Sequence, residues 1–245
     1  MERKKYKLIL ALLLIISAPA AADSRSDIYN AYITSRMEKW KEVIDRMASS
    51  SSKSNSFILE LVNYQYGYIG YCLGFNMEKE ASKYLSLAEK NIEILEKAGY
   101  QPTMTNAYRS AFYGFRISLN KLSAPFNGPK SLNYGKRSVE QDDSNYFGYI
   151  QMGNIYFYMP ATFGGSKKSA FEYYNKARRL MEKDPSLVNG NWNYLSLLVT
   201  IGQAHTYLEE YDQARVVYEY ILKTEPGFTY VKNELLPALV AKMKK

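Results

Sequence analysis

Apolar residues return every three or four positions along most of the chain, and no stretch alternates apolar with polar for long. That period belongs to helices that bury one face, so the spacing predicts an all-α protein. The first such segment runs from Ile28 to Met47, and the serine-rich stretch 48–56 interrupts it. Beyond that a small pattern recurs. An apolar residue precedes a glycine at Ile69-Gly70, Tyr113-Gly114, Met152-Gly153 and Ile201-Gly202, and three positions past each glycine stand Leu73, Ile117, Tyr156 and His205. A following segment carries small residues seven apart: Ala81 and Ala88, Ser131 and Ser138, Ala170 and Ala177. The fourth copy has Ala214 with Ile221 in the later slot. Between them falls Leu85, Tyr174 or Tyr218, with Gly135 in the second copy.

The pattern reads as close packing of antiparallel helices, a glycine on one facing an alanine on the next while the large side chain fills the adjoining gap. Such a pair cannot bury its apolar face alone and must stack on copies of itself. The expected organisation is a leader over 1–22, an N-terminal helix and serine-rich loop over 23–55, and four helix pairs with a closing helix over 56–245. Pro237 is expected to bend the closing segment or mark its start.

Two copies are longer than the others. Gly202 and Ala214 stand twelve apart, whereas Gly114 to Ser131 and Gly153 to Ala170 span seventeen. The additional residues fall in "SAPFNGPKS" and "MPATFGGSKKS". Pro125 and Pro160 are expected to stop the preceding helices, because proline lacks the amide donor and its ring clashes with the previous turn. The second insert hints at a phosphate loop, yet the spacing G-x-x-x-x-G-K-[ST] and a preceding strand are both missing. It reads as a bend, with Ser166 as N-cap of the next helix. Free amides there still attract anions, so Ser166, Arg109 and Arg116 are kept as possible anion contacts. The alternative for the two arginines is solvation or pairing with acids.

Arg3, Lys4, Lys5 and Lys7 followed by the apolar run Leu8 to Ile16 and "SAPAAAD" form a secretory signal, with cleavage expected after Ala20 or Ala22. No cysteine stands near the cut to carry a lipid, so the mature chain is expected to be periplasmic or secreted, without an integral membrane span. Removing residues 1–22 lowers the formal charge from +8 to +5. The remaining lysines are interspersed with acids rather than gathered in a stripe, which argues against nucleic acid. Cys72 is the single cysteine, so no internal disulfide can form.

The copies resemble the tetratricopeptide repeat. The fourth supplies Leu198, Ile201, Gly202, His205, Ala214, Tyr218 and Pro226 at that family's spacing, and the third supplies Tyr149, Met152, Gly153, Tyr156, Ala170, Tyr174 and Ala177. The resemblance implies a right-handed α-α superhelix whose first helices line a concave face. Counted from the glycines, that face offers Tyr64, Tyr71, Tyr108, Phe115, Asn154, Phe157, Tyr158, Gln203 and Tyr207. The insert of the third copy is also similar to periplasmic repeat proteins that serve as the T component of TRAP transporters. The implied function is an exported scaffold for a protein or peptide partner in the bacterial envelope. The alternative is a carrier of a small apolar solute or lipid beside a transporter. The lysine and asparagine clamp with which family members grip a C-terminal carboxylate is missing. The rings could instead pack on each other as core. One histidine, His205, and one cysteine cannot build a typical zinc site. No catalytic constellation, cofactor site or metal site is legible, so the chain is expected not to be an enzyme.

Overall fold

The computed structural model of the protein describes residues 21–244; residues 1–20, which hold most of the expected leader, lie outside the described residues. Eleven α-helices and no strand occur among the described residues. They are α1 (Ala21–Ile33), α2 (Met37–Ala48), α3 (Asn55–Gly74), α4 (Glu78–Lys97), α5 (Pro102–Leu119), α6 (Ala124–Glu140), α7 (Tyr146–Tyr158), α8 (Lys167–Met181), α9 (Trp192–Tyr207), α10 (Tyr211–Thr224) and α11 (Leu236–Met243). The hairpins α3–α4, α5–α6, α7–α8 and α9–α10 pack antiparallel in succession, as the glycine pattern predicts.

The segment expected as one helix from Ile28 to Met47 is two. Ser35 takes a left-handed conformation (φ 56°) and Arg36 N–H returns to the Ala31 carbonyl at 2.8 Å, closing α1 and restarting the helical frame. In the new frame Trp40, Val43, Ile44 and Met47 all face the core. Pro125 also departs from expectation: it occupies the first turn of α6, where a missing N–H has no partner to lose. The first insert is therefore an extension of α6, entered through a short 3₁₀ turn over Lys121–Ser123. Pro160 does stand just past the end of α7. At the C-terminus a π-helical turn over Val231–Leu235 leads into α11, with Pro237 in the first turn of α11.

The close approach within hairpins has a different partner from the expected alanine. A Cβ placed on Gly153 would run into the ring of Tyr174, and one on Gly202 into the ring of Tyr218. Both rings are sealed, at 0% and 1% exposure. The glycine is thus a socket for the tyrosine of the next helix, while Ala170, Ala177 and Ala214 are buried beside it. The α5–α6 pair reverses the arrangement. Gly135 on the second helix takes Met152, Ile155 and Ser110, and Ser110 and Ser131 exchange hydroxyl-to-carbonyl bonds of 2.8 Å in both directions. Gly70 and Gly114 meet nothing.

Another glycine acts between elements. A Cβ on Gly67 of α3 would lie 2.6 Å from Trp40 and 2.7 Å from Trp192. The two indoles meet edge to face at 4.8 Å, and Trp40 Nε1–H donates to the Tyr64 carbonyl at 2.9 Å. Arg25 of α1 reaches the carbonyls of Ser186 and Asn189 at 2.7 and 3.1 Å, and Tyr29 Oη donates to Glu225 at 2.7 Å. The N-terminal helices therefore close onto the fourth hairpin.

The sockets make a paired prediction. Gly202→Ala is expected to lower the free energy of unfolding by about 1–3 kcal/mol through overpacking. Gly70→Ala, in open space on a helix, is expected to raise it by about 0.5–1 kcal/mol. Urea denaturation midpoints moving in the same direction for both variants would contradict the socket geometry.

Candidate functional site: an aromatic recess at one rim

Because the hairpins run antiparallel in succession, α3, α5, α7 and α9 point the same way and gather their N-terminal ends at one rim. Tyr66, in the middle of α3, plugs the inner face between the rims. Its ring stacks on Phe115 at 5.4 Å, meets Phe147 edge-on at 5.1 Å and lies 6.0 and 6.3 Å from Tyr108 and Trp192. Gln151 Nε2 donates to its hydroxyl at 3.3 Å.

On the N-terminal side of that plug lies a recess of about 330 Å³. Its walls are Tyr64, Tyr100, Tyr108, Tyr146 and Trp192, with Leu59 and Met104, and Arg25, Glu60 and Gln101 also line it. The polar groups in the wall are fixed by each other. Asn63 Oδ1 accepts from Trp192 Nε1 at 2.9 Å, Asn63 Nδ2 donates to Tyr108 Oη at 2.8 Å, and Tyr64 Oη donates to Glu60 at 2.5 Å. Other polar groups are left over, the Tyr100 hydroxyl and the Gln101 side-chain amide among them. The Tyr146 hydroxyl has no hydrogen-bond partner among the described residues, and burial raises its pKa against the pull of Arg25. Arg25 spends Nε and Nη2 on the carbonyls of Ser186, Asn189 and Gly190, which leaves Nη1 unused among the described residues. The N-termini of α5, α7 and α9 border the recess and add a positive potential.

Of the residues expected on a concave face, Tyr64 and Tyr108 belong to this recess. The others lie beyond the plug. Phe115 stacks on Tyr66, and Tyr71 packs on Phe75 at 4.7 Å. Asn154 accepts from Tyr174 Oη at 2.9 Å, and Gln203 donates to Tyr230 Oη at 3.4 Å. Phe157 is buried beneath Tyr158 and Tyr207, with ring centroids 5.2 and 5.5 Å away, and the Lys167 ammonium sits over it at 3.9 Å. Tyr158 stands exposed, yet the surrounding protein still raises its pKa.

The anion candidates are engaged elsewhere. Arg109 is bidentate to Glu96 at 2.9 and 2.7 Å, and Arg116 to Glu89 at 2.7 and 2.8 Å. Ser166 Oγ caps α8 by accepting from Ser169 N–H at 3.1 Å. A second recess of about 360 Å³ beside Arg116 is lined mainly by serine and asparagine side chains. His205 Nδ1 lies 2.6 Å from Glu210 with its ring tilted on Phe171, and the buried Cys72 thiol is pushed up to about 11 by desolvation. Neither faces the N-terminal recess. Arg25, Tyr100, Met104, Tyr146 and Trp192 escaped the sequence reading, because they lie in α1, in the turn before α5 or at the helix starts, outside the repeating positions.

No family model matches the chain, and no curated protein matches it. Among solved structures the chain is similar to the HusA haemophore from Porphyromonas gingivalis. The TM-score is 0.56 at 18% identity, covering 73% of this chain and 90% of that one. At this identity the likeness is one of fold.

The buried phenols carry a pH prediction. Desolvation raises Tyr64, Tyr108 and Tyr174 above the ordinary value of 10.0. A raised folded pKa contributes stability that is whole below the unfolded value and is lost as pH rises through the folded one. Helix content is therefore expected to hold to about pH 10 and then fall together with a step in tyrosinate absorbance. Smooth ionisation of all tyrosines near pH 10 with helices intact would show that these phenols are open to water.

Proposed function

We propose that this chain is a non-catalytic binding protein that holds a planar, largely apolar molecule with an anionic edge in the recess bordered by α1, α3, α5, α7 and α9. A porphyrin of the haem type is the cargo this reading names. The observation that carries it is the pairing of five aromatic walls with unspent donors, Tyr146 Oη and Arg25 Nη1 among them. Aromatic faces stack on a flat ring, and a guanidinium at the mouth suits a carboxylate. A cavity of about 330 Å³ takes one edge of a tetrapyrrole and leaves the rest at the mouth. The fold likeness to a haemophore supports the same reading. Tyr100 Oη, Tyr146 Oη and Met104 Sδ are wall atoms without a hydrogen bond among the described residues, and an iron centre bound here could meet them.

The export of such a carrier rests on the leader expected over residues 1–22. Among the described residues no helix is long and apolar enough to cross a membrane. A peptide scaffold of the tetratricopeptide kind, and the narrower likeness to a TRAP-transporter component, fit less well. The Tyr66 plug interrupts the face along which an extended peptide would lie.

Titration of the purified chain with hemin is expected to shift the Soret band and quench the fluorescence of Trp192, which forms part of the wall. Met104→Ala and Tyr146→Phe are each expected to weaken binding about tenfold, roughly 1.4 kcal/mol. A folded protein that gives no Soret shift with hemin and no quenching with zinc protoporphyrin would dispose of the porphyrin reading.

A further inference from the structure

The recess makes no use of the two inserts. Both lie at the opposite rim, the first in the 3₁₀ turn and opening turns of α6 and the second in the turn α7–α8. Each lifts large apolar side chains into solvent: Leu122 is 87% exposed, Phe126 75% and Phe163 77%. Their charge is one-sided. The first tip carries Lys121 and Lys130 and the second Lys168, with Lys167 held over Phe157. No acid stands between Asn120 and Val139 or between Met159 and Phe171; Lys136 and Arg137 lie near the C-terminal end of α6, toward the other rim. The neighbouring turns of the same rim differ, with Glu78 and Glu80 after α3 and Glu209 and Glu210 after α9. Phe75 and Tyr207 are also exposed at the neighbouring turns, but among the described residues of this rim a net positive charge joins exposed rings only on the two middle hairpins.

We propose that these two tips are a docking surface for an anionic lipid bilayer. Single rings raised on separate turns among lysines form no shaped cluster of the kind that anchors a protein partner. They do match a bilayer interface, which accepts isolated aromatic side chains at one depth and attracts lysines to acidic headgroups. Firm backbone places the tips. Gly165 N–H returns to the Pro160 carbonyl at 3.1 Å, Ser166 N–H returns to the Tyr156 carbonyl at 3.0 Å, Leu122 stands on the 3₁₀ turn before α6, and Phe126 stands in the first turn of α6. With the bilayer at this rim, the recess at the other rim opens to solvent.

Co-sedimentation of the full chain with vesicles tests this. Binding is expected with phosphatidylcholine vesicles containing phosphatidylglycerol, is absent with phosphatidylcholine alone, and weakens as salt rises. Phe126→Ser with Phe163→Ser is expected to lower affinity by about tenfold or more, from the loss of two inserting rings. Lys121→Gln and Lys168→Gln are expected to cost about fivefold each on the acidic vesicles. All four side chains are exposed, so circular dichroism and the hemin titration should not change. The proposal is overturned if the wild type ignores acidic vesicles or the variants bind as it does. It is equally overturned if the tips cross-link to an envelope protein while vesicles stay unbound. A failed hemin titration leaves the vesicle result standing.

Discussion

The absence of a side chain at position 67 is the constraint on which the architecture turns. Only with bare backbone there can Trp40 and Trp192 meet over α3, and only their meeting brings the N-terminal helices against the fourth hairpin. A run of hairpins alone would leave an open inner face. Here the indoles and Tyr66 fill the middle of that face, so it is divided into an aromatic recess open at one rim and separate clusters of rings at the other. The close approach also strips water from the phenols around it, which is why burial leads the causes that raise the pKa of Tyr32, Tyr64 and Tyr66.

Within the hairpins the same economy of space works in two directions. Where the second helix offers tyrosine, the first offers glycine, as at Tyr174 with Gly153 and Tyr218 with Gly202. Where the second helix offers Gly135, the first brings Ser110 and the next hairpin brings Met152 and Ile155. The second copy, with Gly135 in the slot that holds a bulky residue elsewhere, is thus a different solution to the same fit, with reciprocal serine bonds replacing a ring.

The hairpins were legible because glycines, small residues and tyrosines recur at fixed intervals, and periodic packing writes itself into periodic sequence. The break at Ser35 was not, since a left-handed serine carries no compositional mark and the apolar period runs straight through it. Pro125 misled for a related reason: proline opens a helix as readily as it ends one, and only the 3₁₀ turn before it decides. Most of the candidate site was out of reach. Tyr64 and Tyr108 fall on repeat positions, but Arg25 and Trp192 join them through contacts between segments far apart in the chain, which no local spacing encodes.

That separation has a consequence for the order of assembly. Arg25 grips carbonyls 161 and 164 residues away, whereas each hairpin is held by contacts between neighbouring helices. Short-range pairs close at small entropic cost and long loops close late. A growing chain would therefore build its hairpins one by one and complete the cavity wall only after the ninth helix had formed. A fragment lacking the last pair could be well helical and still have no chamber.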